Sequence, residues 1–189
     1  FNSSHFDLCL LDIMMPKLDG YSLAKEIRTK DQAIPLIFIT ARSLKEDKLR
    51  GYEYGCDDYI IKPFDEEELL WKIKAVVRRA KENKNESNQE IISLGKYQFD
   101  FPNQLLSCGD QTIRLTEKEA RILNYLSQHR NKVIKREQLL KTLWGENDYF
   151  LGRSLDVFIT KLRKYLKDDP QLGIENVYKV GLVFKVPSA

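Results

Sequence analysis

Two kinds of hydrophobic spacing divide this chain near residue 80. Before that point, short unbroken apolar runs alternate with longer stretches whose apolar residues recur every three or four positions. The runs are Leu8 to Leu11, LIFIT ending at Thr40, and Tyr59 to Ile61. Apolar runs rich in β-branched and aromatic residues suit buried strands. Between them, residues 19 to 30 carry Leu23 and Ile27 one turn apart, with Lys25, Glu26 and Arg28 facing out, which predicts a helix. Residues 44 to 54 form a charged amphipathic stretch closed by Gly55, a good helix stop. Leu69, Leu70, Ile73, Val76 and Val77 mark a further helix from Glu66 to about Arg79 by their spacing. Strands and helices in alternation predict parallel βαβ units.

Beyond residue 80 the pattern changes. Residues 80 to 90, AKENKNESNQE, are polar throughout and contribute nothing to a core, so they predict a linker. Residues 91 to 115 hold short alternating runs broken by Pro102-Asn103 and Cys108-Gly109-Asp110, the mark of a small antiparallel sheet. Thr116-Glu117-Lys118-Glu119 has the form of a capping box opening a helix through Gln128, with Thr116 as N-cap. Lys135 to Trp144 predicts a second helix stopped by Gly145, and Arg153 to Lys167 a third. A closing hairpin, about Val177 to Val186, is expected to turn near Val180-Gly181. The organisation expected is a first domain at residues 1–80, a flexible linker at 81–90 and a second domain at 91–189.

With 189 residues, the chain has room for one large domain or two small ones, each able to bury a core. No apolar run approaches the roughly 18 to 20 residues that span a bilayer, and nothing resembles a secretory signal. Cys9, Cys56 and Cys108 are widely spaced, and His5 and His129 sit near no other candidate ligand. That spacing predicts a reduced, cytoplasmic protein without structural zinc. Charge is uneven: residues 1–89 carry 15 Lys+Arg against 16 Asp+Glu, and residues 90–189 carry 16 against 12. A basic second half hints at nucleic acid once its cations are shown to share a face.

Candidate chemistry falls at strand ends. Asp12, Thr40, Tyr59 and Lys62 close successive parallel runs, and such ends share one edge of a parallel sheet, so a carboxylate, a hydroxyl and an ammonium converge there. Lys62-Pro63 is an X-Pro pair that admits a cis bond and would aim the ammonium. In the second half, Leu155, Ile159, Leu162 and Leu166 form one stripe of the last helix, with Phe158 beside it. At about 100° per residue, Arg153, Val157, Thr160, Lys161 and Lys164 project from the other side, with Asp156 and Arg163 on the flanks. Two preceding helices, a short loop and a terminal hairpin give a winged helix-turn-helix layout, whose last helix can lie in a major groove.

The stretches LLDIMMPKLDG, FITAR, GCDDY and IKPF resemble, in order and spacing, the receiver domain of two-component response regulators. The resemblance implies a flavodoxin-like (CheY-like) α/β fold in which Asp12 accepts a phosphoryl group from a sensor histidine kinase. Lys62 would pair with the phosphate, Thr40 would hydrogen-bond it, and Tyr59 would rotate inward as Thr40 moves. Mg²⁺ would be held by Asp12 and the Met14 backbone carbonyl, together with an acidic pair at the end of the family's first strand. This chain starts about where that family's second helix ends, so roughly the first 40 residues of the five-unit, 2-1-3-4-5 sheet are expected to lie outside it. The receiver is thus expected to be truncated at its N-terminus, with an open sheet edge beside Asp12, and inefficiently phosphorylated as it stands. Asp57 and Asp58 precede a later strand and cannot replace the acidic pair.

LTEKEARILNYL, REQLLKTLWG, RSLDVFITKLRKYL and VYKVGLVFKV resemble the OmpR/PhoB-type winged-helix effector domain, with its N-terminal antiparallel sheet, across nearly all of residues 91 to 187. This implies a recognition helix at 153–167 whose DNA-facing residues include Arg153, Val157, Thr160, Lys161, Arg163 and Lys164. It also implies a wing at 174–186 and a loop at 145–152 that touches RNA polymerase. The wing position usually held by an Arg is Tyr178, followed by Lys179, which would supply the charge, and Asn176 would contact a phosphate. Relatives in this subfamily dimerise through the receiver by ion pairs, which implies roles for Lys48, Asp57, Asp58, Glu68, Lys72 and Arg79. Lys48 would face Glu68 and Asp58 would face Lys72, a weaker pair than one made by Arg.

The function expected is a DNA-binding transcription regulator acting on promoter DNA with tandem half-sites, switched by phosphorylation of Asp12 and receiver homodimerisation. The alternative is a phosphorylation-independent regulator whose receiver only dimerises. An aspartyl-nucleophile phosphatase needs a second acid two residues beyond Asp12, where this chain has Met14, so no enzymatic activity is expected.

Overall fold

In a computed structural model, residues 6–15, 18–41, 45–85, 91–144 and 149–187 are described. The chain forms two compact units, residues 1–87 and 88–189.

The first unit is built on three parallel strands, β1 (Cys9–Asp12), β2 (Leu36–Thr40) and β3 (Asp58–Ile61), in the order β1-β2-β3. Leu11 pairs with Phe38, which pairs with Tyr59, so the C-terminal ends of all three strands share one edge. Helices α1 (Gly20–Lys30), α2 (Lys45–Glu53) and α3 (Glu66–Asn85) connect and follow the strands. Asp19 caps α1 by accepting hydrogen bonds from the backbone N–H groups of Tyr21 and Ser22, each at 3.0 Å. The next residue has to be glycine, because a Cβ on Gly20 would lie 2.5 Å from the Asp12 carbonyl oxygen. This close return presses the start of α1 against the end of β1 and fixes where Asp12 points.

One face of the sheet buries Ile37, Ile60 and Val76, with Leu8, Ile39, Phe64, Leu69 and Ile73 packed around them. On the other side Tyr21, Phe38 and Tyr59 form an aromatic chain, with ring centroids 5.3 Å and 5.7 Å apart. Arg28, expected to face outward, turns inward instead. Its Nη1 donates to the Ile34 carbonyl at 2.6 Å, its Nη2 donates to Gly55 at 2.7 Å, and it pairs with buried Asp57 at 3.5 Å.

Helix α3 runs on to Asn85, past the expected end near Arg79. Ala80, Lys81, Glu82 and Lys84 there are good helix formers. Residues 81–85 are therefore helical, where a linker was expected; residues 86–90 lie outside the described set.

The second unit begins with a meander, β4 (Ile92–Leu94), β5 (Tyr97–Asp100), β6 (Leu105–Cys108) and β7 (Gln111–Arg114), paired in sequence order. The capping box opens α4 (Glu117–Gln128) as its sequence predicts. The Thr116 side chain accepts from Glu119 N, and the Glu119 carboxylate accepts from Thr116 N. Helices α5 (Arg136–Trp144) and α6 (Tyr149–Tyr165) complete a three-helix core. Leu155, Phe158, Ile159, Leu162 and Leu166 are all buried there, as the stripe predicted.

The last sheet has the order β8-β10-β9, with β8 at Val133–Lys135, β9 at Gly173–Val177 and β10 at Gly181–Lys185. Three differences from expectation stand out. Helix α6 starts four residues before Arg153. The hairpin turns at residues 178–180, with Lys179 in the left-handed region at φ 56°, so Gly181 already belongs to a strand. Strand β8 was not anticipated, being too short to show alternation. A Cβ on Gly181 would come within 1.9 Å of the Ile134 carbonyl oxygen, so glycine is what lets β10 close on β8. Gly145, expected to stop α5, lies outside the described residues.

Candidate functional site: a strand-edge carboxylate and a nucleic-acid interface

Asp12 is the last residue of β1, and the turn held against α1 keeps its carboxylate at the edge, 30% exposed. Lys62, just past β3, donates from Nζ to Asp12 Oδ2 at 2.5 Å, and the Met14 N–H donates to Oδ1 at 2.9 Å. These bonds, with the Lys62 bond the larger effect, hold the Asp12 carboxyl below the ordinary carboxylate range. It is therefore an anion with a fixed orientation. Thr40 ends β2 and is buried. The Lys62 backbone N–H donates to the Thr40 carbonyl at 2.7 Å, and Lys62-Pro63 is cis. Asp12, Thr40 and Lys62 thus stand at or just past the ends of three adjacent strands on one edge of the sheet.

Tyr59 does not join them. It is the second residue of β3, not a strand end, and is buried with its hydroxyl 3.1 Å from that of Tyr21. Side chains alternate along a strand, and Tyr59 falls on the face covered by α1 and α2, where its ring packs beneath Gly51.

Among the described residues no group of three His, Cys, Asp or Glu side chains is placed to hold a metal. Within the described residues the expected donors are the Asp12 carboxylate and the Met14 carbonyl, a partial set for an octahedral ion that keeps several waters. Asp19 is committed to capping α1.

The proposed dimer residues separate. Asp57 is 1% exposed and accepts from Leu36 N at 2.9 Å while pairing with Arg28. It pins the opposite end of the sheet and is not a surface charge. Asp58 and Lys72 do pair, but with each other within this chain, at 3.2 Å. Glu68 is exposed in the first turn of α3. The side chains of Lys48 and Arg79 lie outside the described set. The same helix also exposes Leu70 and Trp71, which charge patterning did not flag.

On α6, Arg153, Thr160 and Lys164 are exposed and Val157 is half-buried. Two expected DNA contacts are engaged elsewhere. Lys161 pairs with Glu119 of α4 at 3.3 Å. Arg163 donates from Nε to the Ile174 carbonyl at 2.7 Å and from Nη2 to Asn176 Oδ1 at 3.3 Å. Asp156 pairs with Arg136 at 2.6 Å. On the wing, Asn176 and Lys179 are exposed, and Tyr178 is 82% exposed with the Lys179 ammonium 5.2 Å from its ring centroid. Lys135, Arg136, Asn176 and Lys179, with the one acidic residue Glu137, line a groove of about 620 Å³ between the wing turn and the start of α5. A phosphate backbone is the polyanion that such a set of cations and hydrogen-bond donors suits. Residues 145–148 of the expected polymerase loop lie outside the described set, and 149–152 belong to α6.

A strand-edge aspartate with a lysine partner, in a chain that ends in a winged helix, defines the class. Residues 1–74 match the Response regulator receiver domain family and residues 110–184 match the family Transcriptional regulatory protein, C terminal. The chain belongs to the two-component response regulators, with a receiver and a DNA-binding effector domain of the OmpR/PhoB type.

Transcriptional regulatory protein RprY of Bacteroides fragilis is 46% identical over 187 residues, covering 99% of this chain and 79% of the relative. Response regulator ArlR of Staphylococcus aureus is 38% identical over 184 residues, covering 97% and 81%. A solved mutant of RitR superposes with a TM-score of 0.74 at 24% identity, covering 97% and 81%, and so shares the fold.

Sequence reasoning missed the inward Arg28, the buried Asp57 and the second role of Glu119. The only available signals were an Asp directly before a strand and the capping box itself.

Proposed function

We propose that this protein is a cytoplasmic, non-enzymatic transcription regulator in which a sensor histidine kinase phosphorylates Asp12, receivers then dimerise, and two effector domains bind tandem half-sites in promoter DNA. The observation that carries the reading is the Asp12 carboxylate held ionised at the sheet edge by Lys62 and the Met14 N–H. An Asp12 oxygen would form a bond to phosphorus as the bond from phosphorus to the donor imidazole nitrogen breaks. The released imidazole takes up a proton. Lys62 offsets charge on the phosphoryl oxygens and the Thr40 hydroxyl donates to one of them, which is the positioning and charge compensation that phosphoryl transfer requires. Receivers of this family generally bind Mg²⁺ at the phosphorylation site, where Asp12 and the Met14 carbonyl would be two of its ligands.

For DNA, the exposed face of Arg153, Thr160 and Lys164, with Val157 beside it, would enter the major groove, and Asn176 and Lys179 would meet phosphates from the wing. Dimer contacts would use the surface of β3 and α3 around Asp58, Glu68 and Lys72, with Lys48 and Arg79 at its margins. RNA polymerase would be met by the 145–152 segment.

A second reading is a receiver that dimerises whether or not Asp12 is phosphorylated. Treatment with phosphoramidate, borohydride trapping and peptide mapping tests the site. Label on the Asp12 peptide, absent in Asp12→Asn, supports the switch. Undiminished promoter binding by Asp12→Asn supports the second reading, and label on another residue removes Asp12 from the mechanism.

A further inference from the structure

We infer that Lys161 is a positioning residue and not a DNA contact. Together with Tyr165 it anchors the recognition helix to the buried carboxylate of Glu119, and this anchor sets which face of α6 meets DNA. The inference rests on the DNA reading of α6 and assigns a different duty to one of its cations.

Glu119 is the third residue of α4 and is 2% exposed. Its Oε2 accepts from Thr116 N at 3.0 Å, which would suffice for a helix cap. Its Oε1 does something a cap does not require: it pairs with Lys161 Nζ, 3.3 Å away on α6. The Tyr165 phenol lies near enough to Glu119 to feel its charge. Burial, and then the Glu119 charge, push the Tyr165 pKa up, so the phenol stays protonated beside the carboxylate. Lys161 and Tyr165 stand four residues apart and therefore project from successive turns on one side of a helix. An ion pair on one turn and a protonated phenol on the next, both beside one buried carboxylate, oppose sliding and rotation of α6 against α4.

The angular placement agrees. At about 100° per residue, Thr160 and Lys164 lie within about 20° of Arg153, whereas Lys161 lies about 80° to one side. Arg163 lies about 80° to the other side by the same count, and it is tied to the wing through the Ile174 carbonyl and Asn176. Both flanks of the helix are thus held by their own cations, one to α4 and one to β9. A Lys161 ammonium drawn away to a phosphate would leave a buried carboxylate without its cation, which is costly. The lysine is better retained where it is.

Each phosphate neutralised by a protein cation contributes about 0.9 to the slope of log affinity against log salt on duplex DNA. The test measures that slope, and affinity, on a duplex selected by the wild-type protein from random sequence and on a scrambled duplex. Lys161→Met is expected to keep the wild-type slope on both, while the ratio of selected to scrambled affinity falls at least tenfold. Lys161→Arg, which can still reach Glu119, is expected to restore that ratio. Lys164→Met is expected to lower the slope by about 0.9 on both duplexes.

If Lys161→Met folds poorly, Glu119→Gln combined with Lys161→Met removes both charges and is read in the same way. A slope lowered by about 0.9 in either Lys161→Met background overturns the inference and leaves the DNA reading intact. If Arg153→Met and Lys164→Met also leave the slope unchanged, α6 is not the DNA face, and both the reading and the inference fall.

Discussion

Asp12 owes its charge state to two donors, and this has a consequence for pH. Its folded pKa is lowered, chiefly by Lys62. The stabilisation from these bonds is therefore fully present above the ordinary carboxylate value and is lost as pH falls through the lowered one. Carboxyl-carbon NMR is expected to show Asp12 titrating below a typical aspartate, and Lys62→Met should move the midpoint upward. A midpoint unchanged by that substitution would mean that the Lys62 contact does not form in solution. Asp57 makes the opposite kind of contact, buried and structural. Arg28→Met would leave its carboxylate without a cation in the interior, and losing one partner of such a pair costs about 3 to 5 kcal/mol. Urea unfolding of the first unit should show a loss on that scale. A change under about 1 kcal/mol, the range of exposed pairs, would place Asp57 in contact with water. The two aspartates were unequally legible in the sequence. Asp12 ends an apolar run, and strand ends of parallel sheets gather on one edge. Arg28 and Asp57 sit in polar stretches, and no periodicity distinguishes a charge that turns inward from one that stays out.

At the level of elements, legibility followed the strength of local signals. The Thr116 capping box and the apolar stripe of α6 are short-range patterns, and both appear as read. Thr116→Ala removes the side-chain acceptor for Glu119 N and is expected to cost about 1 kcal/mol of stability. If Glu119 also anchors α6, the loss should be accompanied by weaker DNA binding and not by instability alone. Elements decided by tertiary contact were harder to read. Strand β8 is only three residues long and exists because β10 offers it a partner. The hairpin turns at residues 178–180, ahead of the expected Val180-Gly181, because Gly181 looks like a turn glycine yet is needed for close approach to the Ile134 carbonyl. Gly181→Ala should therefore act as an overpacked core substitution costing about 1 to 3 kcal/mol and should not alter the turn. Amide exchange would show the difference, with protection lost along β8 and β10 while Val180 keeps its hydrogen bond to Val177. The end of α3 is hard to read for another reason: Ala, Lys and Glu suit a helix as well as a linker, and an all-polar sequence does not choose between them.

For the whole molecule, what matters is how a change at Asp12 reaches an interface in another compact unit. Nothing in the effector requires that its own affinity for DNA change. If phosphorylation only raises the population of receiver dimers, the gain comes from linkage: the second effector domain binds as an intramolecular partner, and avidity can exceed single-site affinity by about 10² to 10⁴. This predicts a dissociation between two probes. On a duplex with one half-site, phosphorylated and unphosphorylated protein should bind alike, within about twofold, because the dimer offers no second contact. On a duplex with two tandem half-sites, the phosphorylated protein should bind at least tenfold more tightly, and lengthening the spacer by half a helical turn should abolish the gain. Fluorescence anisotropy on the three duplexes measures all of this. Equal gains on one and two half-sites would mean that the signal reshapes the recognition helix directly, and the anchor of Lys161 and Tyr165 on Glu119 would then be the first place to look for movement. Equal affinity in both phosphorylation states on every duplex would instead fit a receiver that is dimeric from the start, with Asp12 a retained but idle carboxylate at the sheet edge.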